Sequence, residues 1–317
     1  PKKERMKMDK KLTNVLISLV MVLAIFGIIM FAFGASKNNI GPFNFQVDQP
    51  TLALRFAFVV LGLLIAFAVY LFTRDTKAWE VGTHEVVWMA IGAALYAVFS
   101  WLFNGTVFVV PSLSQVALRP AIAIPMFFGY AFGPVVGFFS GAVGNIFGDA
   151  LTGFGLSPQW SIGNGLVGFI AGMAMLFKDK KRSMDTVLWV SGVLAVLTVV
   201  LFFFNRNVQN QFYFVNQESV SIFAGITILI GFVLVLAVRF GFARNEDVAA
   251  AVTWGMLGNI LGILFAALSD IFINGFSLTA AVVGEFLPAA GPNLIFAAIL
   301  VPLLVGAYAA VQEQSGR

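Results

Sequence analysis

The chain has 317 residues, 60% of them hydrophobic and 11% charged, with 35 phenylalanines and a formal net charge of +4. Soluble domains average about 45–50% apolar and about 25% charged residues. A mean hydropathy of +0.93, with apolar runs longer than the ~18 residues that cross a bilayer, therefore points to a polytopic membrane protein. There is no cysteine and a single histidine, His84, which excludes disulfides, thiolate metal sites, Cys nucleophiles and His-rich metal centres. No G-x-x-x-x-G-K-[ST] segment occurs, so ATP hydrolysis by a phosphate loop is excluded as well.

Ten spans are read in chain order: 12–34, 52–73, 86–104, 114–132, 134–152, 161–177, 187–204, 219–240, 248–269 and 288–311. Helices are required, because lipid offers backbone groups no partners and the runs lack the alternation of a barrel. The expected fold is all-α and polytopic, with about ten transmembrane helices. The basic isoelectric point of about 9.4 reflects orientation, not nucleic acid. With the N-terminus inside, fifteen Lys and Arg fall in cytoplasmic segments, Lys37 and Arg206 fall in outer loops, and Arg55 and Arg119 lie just within outer helix ends. That bias places both termini in the cytoplasm of a plasma-membrane protein. The first span has an apolar run of over twenty residues, longer than the ~7–15 of a signal peptide, and is expected to be a retained anchor.

Spans 12–34, 52–73, 187–204 and 219–240 are almost purely apolar apart from Arg55, whereas 86–177 and 248–311 carry nearly all the intramembrane Gly, Pro, Asn and carboxylates. In the third span, Ala90, Ala93, Ala94 and Ala97 with Gly92 make a flat surface that another helix can approach closely, within the chain or from a partner. Next, Pro120 and Pro125 interrupt the fourth span, and Gly133-Pro134 makes the turn into the fifth. Gly133, Gly137 and Gly141 lie on one ridge that Gly144 and Gly148 continue with a small offset, a pattern of close packing.

Arg119, Asn145 and Asp149 fall toward the outer ends of neighbouring antiparallel helices. An ionisable group at membrane depth costs ~2.5–3.5 kcal/mol on insertion scales and is functional by default. An Arg119–Asp149 pair equally fits a lock between two helices. Trp160 is either an interfacial anchor or a stacking surface for a planar ligand, and Asn164 lies one turn further in, so both can point toward Asp149. Asp270 and Glu285 flank an outer loop that Gly275, Gly284 and Pro288 allow to be partly re-entrant, or that leaves them solvated. Asn293, inside the last helix, needs a partner. Arg119, Asn145, Asp149, Trp160, Asn164, Glu285 and Asn293 are together expected to form a binding site in the outer half of the membrane. A few polar groups among aromatics suit a small polar molecule. No catalytic residues, metal ligands or cofactor are expected, and the chain is not read as an enzyme.

These features resemble the substrate-binding S component of energy-coupling factor (ECF) transporters. The resemblance rests on the alanine-lined helix, on Gly133-Pro134-x-x-Gly137-x-x-x-Gly141-x-x-Gly144-x-x-x-Gly148-Asp149, and on Pro158-x-Trp160-x-x-Gly163-Asn164-Gly165-x-x-Gly168-x-x-x-Gly172. The ending Pro292-Asn293 through Val301-Pro302-Leu303-Leu304 to Ala307-Tyr308 also fits. It covers about half of the chain. It implies a six-helix core at 86–177 and 248–311, within a membrane domain 81–317 that carries a two-helix insert at 183–245. A two-helix extension, 1–80, precedes it. It further implies a vitamin-like substrate, and a T component with ABC ATPases as partners. The face Ala90, Ala93, Ala94 and Ala97 would dock on the T component, and the loop 105–115 would act as a lid. Six spans are usual in this family, so the four additional helices are departures from its pattern. Two competing readings are an autonomous secondary transporter or channel using Asp149, Arg119 and Glu285, and a membrane enzyme acting on lipid with carboxylates. The first would require inverted internal repeats, which are not evident.

Overall fold

The computed structural model describes residues 2–34, 39–104, 109–110, 116–153, 155–208 and 221–316. Most of the expected lid, 105–115, lies outside the described residues, as does 209–220 within the insert. The described chain is almost wholly helical, and the all-α polytopic membrane fold is borne out. α1 (Lys2–Gly27) runs on through a π-helical stretch, Ile28–Phe33, and a short hairpin of β1 (Asn39–Ile40) and β2 (Phe43–Asn44) leads to α2 (Leu52–Thr73). α3 (Thr83–Asn104) is followed by a second hairpin, β3 (Val109–Val110) with β4 (Val116–Ala117). Then come α4 (Ala123–Phe132), α5 (Pro134–Thr152), α6 (Pro158–Gly172), α7 (Lys180–Phe204), α8 (Ile222–Gly241) and α9 (Glu246–Ile273). α10 (Leu278–Ala281) passes through a π-helical turn, Val282–Phe286, into α11 (Leu287–Gln314), and the three form one continuous helix.

Eight of these helices, among the described residues, are long and apolar enough to cross a membrane. The fourth span is corrected: an expected helix over 114–132 is instead β4, a 3-10 turn at Pro120–Ile122 and the ten-residue α4. Pro120 has no amide hydrogen and sets the helical start; Pro125 is tolerated because it sits in the first turn, where amides have no intrahelical acceptor. At 1.5 Å per residue, α4 and the 15-residue α6 reach only ~15 and ~22 Å, short of the ~30 Å hydrocarbon core. Both compensate by being interior: eight of ten residues of α4 and thirteen of fifteen of α6 are buried. Protein, not lipid, surrounds them.

α6 is the axis of the bundle, packed by α5, α9, α4 and α2. The close approach is made by glycine. A Cβ added at Gly137 or at Gly168 would collide with the other's backbone carbonyl, and one at Gly141 would strike the Asn164 carbonyl. The glycine ridge read from the sequence divides here. Gly137 and Gly141 face α6, whereas Gly144 and Gly148 face Tyr96, Ala97 and Ser100 of α3. A three-residue step turns the helix face by about 60°, so the small offset suffices to hand the ridge from one neighbour to the other. Gly133 joins α4 to α5 at φ 106, a left-handed conformation that glycine adopts without a Cβ penalty. α1 and α2 pack on α5 and α6, and α7 and α8 pack on α9 and α11.

Candidate functional site

The C-terminal end of α5, the N-terminal ends of α2 and α6 and the C-terminal end of α9 meet at one end of the bundle. Gly153, at φ 76, stops α5 by returning its N–H to the Asp149 carbonyl at 3.2 Å, which fixes Asp149 one turn from the end. Its carboxylate stands 3.6 Å from the Arg119 guanidinium, and both side chains are largely enclosed. Asn145, one turn deeper, donates Nδ2 to Asp149 Oδ1 at 3.2 Å and accepts at Oδ1 from Asn164 Nδ2 at 3.2 Å. Asn164 also donates to the Trp160 carbonyl at 2.9 Å and accepts from the Tyr96 hydroxyl at 3.1 Å. The Tyr96 hydroxyl lies against Arg119.

On the other flank of α6, Trp160 Nε1 donates to Asp270 Oδ2 at 2.8 Å and Gln159 Nε2 donates to Asp270 Oδ1 at 3.0 Å. Gln159 Oε1 accepts from Arg55 Nη1 at 3.0 Å, and Arg55 Nε donates to Thr51 Oγ1 at 2.8 Å. The result is one polar chain across α5, α6, α9 and α2, buried for most of its length and carrying two carboxylates and two guanidinium groups. Buried polar groups that are all hydrogen-bonded rigidify a site, because in a low dielectric a lost partner is costly.

Of the seven residues read as a binding site, Arg119, Asn145, Asp149, Trp160 and Asn164 share this network. Asn293 sits elsewhere: it donates Nδ2 to Asn259 Oδ1 at 3.2 Å, and Asn259 donates to the Ala290 carbonyl at 2.8 Å, which ties α9 to α11. Glu285 is fully buried within the π-helical turn Val282–Phe286. The solvated or re-entrant loop expected between Asp270 and Glu285 is therefore corrected. α9 continues to Ile273, only 274–277 link it to α10, and both carboxylates are inside helices and buried. Tyr96 and Gln159 escaped the sequence reading. Gln159 adjoins Trp160, and Tyr96 stands within the alanine pattern, so position carried the only hint. That pattern also splits: Ala93 and Ala97 are buried, with α5 against them, while Ala90 and Ala94 are exposed.

At the opposite end a cleft of about 330 Å³ is walled by Phe127, Tyr130, Val305 and Tyr308. Tyr130 and Lys180 both donate to Asp247 there, at 2.7 and 2.6 Å. Among the described residues, no group of three or more His, Cys, Asp or Glu is arranged to hold a metal ion.

Residues 80–204 match the family described as "ECF-type riboflavin transporter, S component". The resemblance to ECF S components is borne out. The match starts just before α3 and runs through α7, so it includes a helix that the sequence reading placed in the insert and omits 248–311. A UPF0397 protein of Vibrio atlanticus (strain LGP32) is 38% identical over 96 residues, which are 30% of this chain and 50% of that protein. A UPF0397 protein of Aliivibrio fischeri (strain MJ11) is 32% identical over 126 residues, 40% of this chain and 66% of the relative. One from Aliivibrio salmonicida (strain LFI1238) is 32% identical over 102 residues, 32% and 54% of the two chains. The chain thus spans about half to two thirds of the length of these relatives. No solved structure gives a significant match. The family is one of transporter components, not of enzymes.

Proposed function

We propose that this chain is the solute-binding membrane subunit of an ECF-type importer, and that the Arg119–Asp149–Asn145–Asn164–Trp160–Asp270 network marks its solute site. The single observation that carries this reading is the position of that network. A chain of charged and amide groups, costly at membrane depth, occupies one end of the bundle and has most of its members inside the stretch 80–204 that matches the S-component family. In this reading both termini are cytoplasmic in the plasma membrane, and the network opens to the outside. The chain binds without bond-making chemistry. A T component and ABC ATPases supply the energy that the chain cannot generate itself.

The solute is a vitamin-like molecule. Carboxylates alone would favour a cation, but here Asp149 faces Arg119, and Asp270 is linked through Gln159 to Arg55. A site already balanced in charge favours a neutral, planar, hydrogen-bonding heterocycle over an ion, because an ionic ligand would leave one charge uncompensated. Riboflavin has that chemistry and is the solute named by the matching family. Within the alanine pattern, Ala90 and Ala94 form the part of the face open to a T component, with Ala93 and Ala97 committed to packing α3 on α5.

The test is a riboflavin fluorescence titration of detergent-purified full chain, combined with a mild pull-down from native membranes. Saturable quenching and co-recovery of ABC ATPases with a T-type membrane protein would support the proposal. Recovery of the chain alone, reproduced under crosslinking, would refute the importer-subunit reading and favour a solitary carrier.

A further inference from the structure

The N-terminal extension reaches into this network in two places. Arg55 of α2 is buried to 7% exposure at membrane depth and spends its Nε on Thr51, in its own first turn, and its Nη1 on Gln159 of α6. Gln159 is bonded at both ends of its amide. Its oxygen is committed to the cation and its amide hydrogen to Asp270, whose other oxygen holds the Trp160 indole. Arg55 thereby dictates which way the Gln159 amide faces, and that orientation holds one side of the Trp160–Asp270 pair. The second contact is made by β2 and the residues that follow it. Phe43 and Phe45 meet Phe147 edge-on at 5.8 and 6.1 Å, two residues before Asp149. The Gln46 carbonyl accepts from Leu156 N–H at 2.8 Å, two residues before α6 begins. About two turns beyond Arg55, α2 lies close on α6, since a Cβ at Gly62 would collide with Ile162.

We propose that the two-helix extension is a fixed wall of the solute site, and that Arg55 is a positioning residue that sets solute affinity by orienting Gln159, Asp270 and Trp160. The physical reason lies in the relay. Asp270 is buried, and its distant compensating cation acts through one amide that is bonded at both ends. Removing the cation strands the Gln159 amide oxygen and leaves the Asp270 charge without its compensating cation in a low dielectric, which loosens the Gln159–Asp270–Trp160 arrangement. The inference rests on the reading of this end of the bundle as the solute site. It also accounts for a helix pair that the six-helix family pattern does not require.

The experiment uses the full chain in detergent and two readouts. Riboflavin titration yields both a dissociation constant and a number of sites per chain. Hydrogen exchange without ligand follows the peptide 156–165, with 180–204 as an internal reference. Arg55→Met should weaken riboflavin binding about tenfold or more at an unchanged number of sites, the scale of losing a hydrogen bond to a charged group. Arg55→Lys, which keeps the charge, should retain most of the affinity. Exchange in 156–165 should rise in Arg55→Met while 180–204 stays as in the wild type. If Arg55→Met fails to fold, Gln159→Met cuts the same relay and carries the same expectations. Unchanged exchange in 156–165 overturns the proposal. So does a fall in site number with an unaltered dissociation constant, which marks Arg55 as a lock between helices only. If the wild type itself does not bind riboflavin, the flavin reading fails, and the exchange comparison still decides whether Arg55 holds the Trp160–Asp270 pair.

Discussion

Gly168→Ala sets two effects of known sign against each other. Gly168 lies in the middle of α6, and alanine there should gain up to ~1 kcal/mol of helix propensity. The added methyl, however, has no room: it would stand 2.8 Å from the Pro125 carbonyl oxygen and nearer still to the carbonyl of Gly137. These are backbone atoms of α4 and α5, so no side chain can swing aside, and the helices must separate by about 1 Å to restore van der Waals contact. Forced overpacking costs typically about 1–3 kcal/mol, and the shift also forfeits dispersion contacts along the glycine-mediated α5–α6 contact. The net should be a loss of roughly 1–2 kcal/mol, read as a melting midpoint several degrees lower in detergent. Gly306→Ala in α11 is the control, because nothing lies within 4 Å of the place its methyl would take. It should be neutral or slightly stabilising. A Gly168→Ala protein that melts as high as Gly306→Ala would refute the claim that glycine-mediated contact sets the α5–α6 distance. The same substitution should weaken solute binding, since the Asn145–Asn164 bond spans that interface.

Asp149→Asn keeps the shape of the side chain but removes the charge facing Arg119; solute binding should be lost with folded yield nearly intact, and a collapse of yield would identify the pair as a structural lock. Ala94→Trp should spare binding and abolish energised uptake, whereas Ala97→Trp, turned toward α5, should prevent folding; uptake unaffected by Ala94→Trp would remove that face from partner docking. Asn293→Leu strands the Asn259 amide oxygen and should lower stability by about 1–3 kcal/mol without changing solute affinity, and a shift in affinity would instead place Asn293 at the site.

What composition and periodicity determine by themselves is the class of the molecule and the course of its helices. α2 and α5 coincide with the runs read at 52–73 and 134–152, because an apolar run bounded by charge or by Gly-Pro has one way to lie in a bilayer. The Gly-Asp and Trp-x-x-Gly-Asn-Gly stretches likewise suffice to reveal the S-component resemblance. Tertiary structure alone decides which face of each helix meets which neighbour. Hydropathy leaves α4 and α6 indistinguishable from helices that touch lipid, although both are interior and too short to span unaided. The end of the apolar run at 269, with Gly275 beyond it, leaves Asp270 at the edge of a loop, yet the Trp160 and Gln159 side chains, 110 and 111 positions away, hold it inside α9. Arg55 looks like an isolated charge in an apolar helix until the fold sets Gln159 beside it. Hydrogen-bond partners are chosen by distance in space, and residues a hundred positions apart leave no periodicity in the sequence to record the choice.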